Sequence, residues 1–166
     1  MTEGPVHEPV DLRLAGFRYA PAVGGAEQLA RQLLAAITEL GLDSRVSRLG
    51  RIEPGVLKWL YQQAAALAFP SVYEGFGLPV LEAFTLGCPV LAARIPSVLE
   101  IAGPDSAMLL DHADVPAWAA ALDVVAGGRL PSAMVEAARL RAQRFTWAGC
   151  AESVVTLIAA GLDRTR

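Results

Sequence analysis

Cysteine is nearly absent. The chain has two, Cys88 and Cys150, with no CxxC pair and no metal-ligand spacing. Nothing supports a disulfide framework or a thiolate metal knuckle, so two reduced, partly buried thiols are expected. Charge is scarce as well, at 19% of residues with a formal net charge of −3. No clustered basic face emerges, which argues against a nucleic-acid partner. Although 54% of residues are hydrophobic, no apolar run is long enough to span a bilayer. The opening "MTEGPVHEPVDLRL" lacks a basic-then-apolar leader. A cytoplasmic protein with at most peripheral membrane contact is the expectation. Histidine is limited to His7 and His112, neither with a sequence partner for nucleophilic or general-base work. No G-x-G-x-x-G follows the first strand-like segment, so a dinucleotide-dependent dehydrogenase is poorly supported. Repeats and low-complexity tracts are missing too.

What is present is an alternation of strands and helices in 166 residues, enough for one domain with a real core. Residues 1–9, with Gly4, Pro5 and Pro9, read as a loose arm, and residues 10–166 as a single domain. Strands are expected at 10–17, 44–50, 66–71, 88–94 and 107–111. Helices are expected from Gly25 to Gly41 and over 53–66, 78–87, 96–103, 114–128, 131–145 and 146–162, with Ser132 and Thr146 as N-terminal caps. Pro79 fits the first turn of the 78–87 helix and Gly87 its end. The segments near 66–70 and 89–93 are apolar throughout, as when helices cover both faces of a sheet. The fold class is therefore α/β: a Rossmann-like, open, mostly parallel sheet of about five strands with helices on both faces. Trp59, Trp118 and Trp147 fall on helices and are expected as core or interface anchors. "RLRAQRF" (139–145) reads as a solvated basic turn.

Within this pattern, "PSVYEGFGLPVLEAFTLGCPVLAARIPSVLEIAG" (70–103) places Glu74 and Glu82 around a Gly-Phe-Gly turn where a strand gives way to a helix. In doubly wound sheets, ligands bind at the carboxyl ends of strands beside helix N-termini. Glycines there let backbone N–H groups approach a ligand, and the helix adds a positive dipole end. Such a place suits a phosphate or a polar sugar edge. A carboxylate pairs well with vicinal hydroxyls, so two of them suit a nucleotide sugar, one acid per ring. The same residues also fit an ordinary glycine-rich turn with two solvated carboxylates.

The quoted stretch strongly resembles the donor-binding motif of retaining GT-B glycosyltransferases of family 4, the glycosyl transferases group 1. That motif reads roughly P-S-x-x-E-G-F-G-L-P-x-L-E-A, then G-x-P-V-[VL]-A-[ST]. The resemblance covers about residues 39–127 and continues through "AMLLDHADVPAWAAAL". It implies half of a GT-B fold that binds a nucleotide sugar and transfers a hexose with retention. Glu74 matches the acid that contacts donor-sugar hydroxyls, and Glu82 the one that usually holds the ribose. Gly75, Phe76 and Gly77 match the turn whose amides face the sugar and diphosphate, and Leu78 the residue beside the nucleotide. Val80 and Leu81 are expected to pack the helix on the sheet. Glu100 matches a later Pro-Glu position, with Leu99 in place of the proline, and is read as structural. No metal or other cofactor is implied; the donor would be an NDP-sugar such as a UDP- or GDP-hexose.

The chain also departs from the family. The resemblance implies an acceptor-holding domain, and an Arg and a Lys five positions apart that neutralise the leaving diphosphate, neither of which matches here. Arg13, Arg18 and Arg51 are the nearby cations, with Arg18 the best placed at a strand end. Arg94 falls where the family has a small or polar residue and is a further candidate. His112 stands at a common proline position. The expectation is a donor-binding domain that works only with a missing acceptor domain or partner chain, or that self-associates through an uncovered apolar face. The alternative is a non-catalytic remnant that binds a nucleotide sugar or another protein.

Overall fold

The computed structural model describes residues 12–15, 26–50 and 52–163. The chain divides into two compact units, Met1–Leu60 and Tyr61–Arg166. In the first, β1 (Leu12–Ala15) and β2 (Val46–Gly50) pair in parallel, with Leu12 opposite Val46. Helix α1 (Ala26–Glu39) connects them and turns Ile37 inward. Helix α2 (Pro54–Gln63) begins with proline at its first position, where a missing N–H costs nothing. The sequence expected α2 to continue through Ala64–Ala66. Instead Leu67 donates its amide to the Pro89 carbonyl at 2.8 Å, and the chain enters the next strand. Strand pairing here overrides the helix propensity of three alanines.

The second unit carries the strands that matter for the site. β3 (Leu67–Phe69), β4 (Val90–Ala93) and β5 (Met108–Leu110) form one parallel ladder in that order. Phe69 lies opposite Ala92, and Ala93 opposite Leu110, so all three strands end along one edge. The five expected strands are thus present and all pair in parallel, in ladders of two and three.

β4 is buried at every residue, because helices cover both of its faces. On one face Leu91 packs with Ala121 and Val125 of α5 (Val115–Ala126), joined by Met108, Leu110 and Trp118. By strand alternation Val90 and Ala92 face the other side, where α3 (Leu78–Leu86) meets β4 and is backed by α4 (Pro96–Ala102) and α6 (Ser132–Ala142). Val80, Phe84, Val98 and Ile101 are fully buried there. The two-sided burial expected of both apolar strands holds for β4 but not β3, where Ala68 is exposed. Ala68 pairs with Leu91 and shares its face, but it sits on the terminal strand of this three-strand ladder and stays exposed.

Two smaller expectations are corrected. Ser132 is not a cap: Pro131 takes the N-cap position and Ser132 is the first helical residue of α6. Thr146 does cap α7 (Trp147–Asp163), accepting from the Gly149 amide at 3.0 Å. "RLRAQRF" is not simply a solvated turn. Arg141 donates to the carbonyls of Ile101 and Glu100, both at 2.6 Å. Arg139 lies against Gly87, where a Cβ would collide with its guanidinium. Two arginines of α6 thus neutralise the C-terminal ends of α4 and α3, where unpaired carbonyls and the helix dipole favour a cation. Trp118 is anchored, donating its indole N–H to the Asp111 carbonyl at 2.9 Å, whereas Trp59 and Trp147 are exposed and lie outside the core.

Every residue of α7 from Trp147 to Gly161 is exposed, including Val154, Val155, Leu157 and Ile158. Among the described residues no helix is long and apolar enough to cross a membrane.

Candidate functional site

The loop from Pro70 to Gly77 leaves the carboxyl end of β3 and runs into α3. Two features fix its shape. Gly77 caps α3 with φ 101° and ψ 42°, a left-handed conformation that starts the helix abruptly. Phe76 turns its ring onto Phe145, edge to face at 5.9 Å, which pins the loop to the chain after α6. The ring therefore serves packing, and the turn offers backbone rather than side chain to a ligand. Among the described residues the amides of Gly75, Phe76, Gly77 and Leu78 donate to no protein group. These donors, together with the α3 dipole, make the turn receptive to negative charge.

Glu74 is half-buried in this loop. Ser71 Oγ donates to Glu74 Oε1 at 2.7 Å and lies 3.2 Å from the Tyr73 carbonyl. The shorter contact to a carboxylate is the stronger one. Glu82 stands one turn into α3. Val80, Ala83 and Phe84 form the buried side of that helix, so Leu78 and Glu82, four positions apart, share its exposed stripe. Tyr61, in the last turn of α2 and only 8% exposed, donates its phenol to Glu82 Oε2 at 3.1 Å. Burial first, and the Glu82 carboxylate second, push the Tyr61 phenol far above its ordinary range, so it stays a proton donor. Each carboxylate thus has one oxygen held by a protein hydroxyl.

The sequence nominated Glu74, Gly75, Phe76, Gly77, Leu78 and Glu82, and these fall on one continuous loop and helix stripe. Arg18 and Arg51 lie outside the described residues, as does His7. Arg94 does not join Glu74: its guanidinium donates to the Leu109 carbonyl at 3.0 Å. It borders an open depression with Leu99, Gly103, Pro104, Ala107 and Leu109 that takes in none of the nominated residues. Glu100 is exposed on α4 and engages through its main-chain carbonyl only, in keeping with a structural role. His112 is exposed on the loop after β5, 3.6 Å from Asp111. Ser71 and Tyr61 had no assigned role in the sequence. Ser71 was within reach only as a near neighbour, three positions before Glu74 in the same loop. Tyr61 was not, being 21 positions from its partner.

Cys88 sits buried behind α3, and burial pushes its thiol up to about 11. A thiol held protonated is a poor nucleophile and a poor metal ligand. Among the described residues, His, Cys, Asp and Glu side chains nowhere gather in threes to hold a metal.

Comparison with known proteins covers the same stretch of the chain. The family model for glycosyl transferases group 1 matches residues 6–141. The chain is 38% identical over 121 residues to the D-inositol 3-phosphate glycosyltransferase of Corynebacterium urealyticum, covering 72% of this chain and 28% of that protein. The sucrose-phosphate synthase of Thermosynechococcus elongatus superposes with a TM-score of 0.77 at 27% identity, covering 93% of this chain and 39% of the other. Anabaena Alr3699/HepE, solved in complex with UDP-glucose, superposes with a TM-score of 0.72 at 22% identity, covering 84% and 39%. The chain therefore spans about two-fifths or less of the length of these proteins.

Proposed function

The chain belongs to the glycosyl transferases group 1 family and has the α/β fold of GT-B glycosyltransferases, and from that premise we propose that it is a donor-binding domain of family 4. It takes an NDP-hexose, and the hexose passes with retention to an acceptor held by a further domain or partner chain. Glu74 accepts hydrogen bonds from donor-sugar hydroxyls and Glu82 from the ribose. The amides of Gly75, Phe76 and Gly77 face the sugar and diphosphate, and Leu78 packs beside the nucleotide. One observation carries this reading. Two carboxylates, each with one oxygen held by a hydroxyl, flank a turn whose amides and helix dipole favour an anion.

The leaving diphosphate needs stabilisation that backbone amides and a helix end supply in part. Arg18 is the cation proposed to add to it, since Arg94 is engaged elsewhere. This chain is expected to bind the donor, and turnover to require the domain or partner chain that holds the acceptor. Calorimetric titration with UDP, GDP, ADP and their hexose conjugates tests this. One nucleotide is expected to bind at sub-millimolar affinity and to lose at least tenfold in Glu82→Ala, because a hydrogen bond to a charged group contributes about 1.5–3 kcal/mol. Failure of every nucleotide to bind would turn the reading toward the non-catalytic alternative.

The exposed α7 face supports the partner part of the proposal. A contiguous apolar strip on an exposed helix is the kind of surface that a further domain, a partner chain or a second copy covers. The purified chain is accordingly expected to self-associate in sedimentation velocity, and Leu157→Glu with Ile158→Glu to reduce it. A clean monomer at high concentration would count against this.

A further inference from the structure

We propose that Tyr61 is a positioning residue for Glu82, making the carboxylate selective for a ribose diol; this rests on the donor-binding reading given above. An exposed glutamate ordinarily samples several rotamers, and a ligand that fixes it loses affinity to that ordering. Glu82 is exposed on α3, yet its Oε2 is tied to a phenol whose ring is buried and cannot follow it outward. The phenol has one proton, and it gives that proton to Glu82. Its elevated range keeps that proton in place across the usable pH span.

The geometry leaves Glu82 Oε1 and the remaining lone pair of Oε2 for incoming donors. Two vicinal hydroxyls are the group that such a preset carboxylate accepts best, one per oxygen. Leu78, on the same stripe four positions earlier, gives the nucleoside an apolar neighbour. Tyr61 touches no ligand in this scheme. Its effect is to hold the acceptor in the orientation the diol requires.

The test compares whichever of UDP, GDP or ADP binds with its 2′,3′-dideoxy analogue, in the wild-type chain and in Tyr61→Phe. The ratio of the two affinities is expected to fall about three- to tenfold in Tyr61→Phe, with the dideoxy affinity little changed. Glu82→Asp, which draws the carboxylate back from the phenol and keeps Tyr61, is expected to lower the same ratio. In a Glu82→Ala background, Tyr61→Phe should have no further effect. An unchanged ratio in Tyr61→Phe would overturn the proposal, even if both affinities dropped, because loosened packing weakens both ligands alike. A further loss in the Glu82→Ala background would overturn it too, since the phenol would then act on the ligand directly. If no nucleotide binds at all, the donor reading falls and this inference falls with it. Binding with an unchanged ratio removes this inference alone.

Discussion

Gly77→Val is expected to destabilise the protein by about 3 kcal/mol, while Gly75→Ala, two residues away in the same turn, changes stability by less than about 0.5 kcal/mol. The difference follows from backbone and space. Gly77 has φ 101°, a conformation that a β-branched residue enters only with strain, and a Cβ there would lie 3.4 Å from Ile101 Cδ1 and 3.8 Å from Val98 Cγ2. Ile101 and Val98 are fully buried and have little room to give. Strain at such a site costs about 1–3 kcal/mol and overpacking adds about 1–3 kcal/mol. Gly75 has no atom within 4 Å of the position of a Cβ and no positive φ. Urea or thermal unfolding of the two variants decides the matter. Equal stabilities would mean that the α3 cap is not the constraint described above.

The same loop shows which parts of the fold could be read without coordinates. Pro79 and Gly87 bracket α3 because each acts locally: proline tolerates the first turn, and glycine takes φ 74° at the end. Helix ends governed by distant pairing were less accessible. The end of α2 depends on the Leu67 amide meeting Pro89, a contact that exists only once β3 and β4 are side by side. Burial of β3 failed for a similar reason, since apolar composition does not say which strand ends the ladder. The arginines of α6 looked like solvent-facing charge, and their destination at two helix ends depends on tertiary packing. Within the candidate site, the grouping of Glu74, the glycines and Glu82 on one loop and helix was legible because their spacing is local to one stretch. Tyr61 was legible only as a tyrosine in the last turn of a helix. Its burial and its phenol contact with Glu82 come from packing alone.

Glu74→Ala is expected to abolish the preference for an NDP-hexose over the bare NDP, by about 10- to 100-fold, while leaving NDP affinity within about twofold of wild type. Glu82→Ala should do the opposite and weaken both ligands in parallel. The separation follows from where each carboxylate stands. Glu74 stands in the loop between β3 and the turn, and the proposal gives it the hydroxyls of the sugar. Glu82 lies one turn into α3 on the exposed stripe it shares with Leu78, and the proposal gives it the ribose. Ser71→Ala releases Glu74 Oε1 from its 2.7 Å contact and is expected to reduce the hexose preference by a smaller factor, since the carboxylate itself remains. Titration of each variant with matched pairs of nucleotide and nucleotide sugar measures both quantities at once. If Glu74→Ala lost NDP and NDP-hexose equally, the two acids would share one ring, and a one-to-one assignment of carboxylates to sugars would be wrong. If it lost only the hexose preference, the strand end would be the sugar side of the site and the helix stripe the nucleoside side. Glu74 would then be the residue whose conversion to glutamine in the full enzyme should slow transfer without displacing the nucleotide.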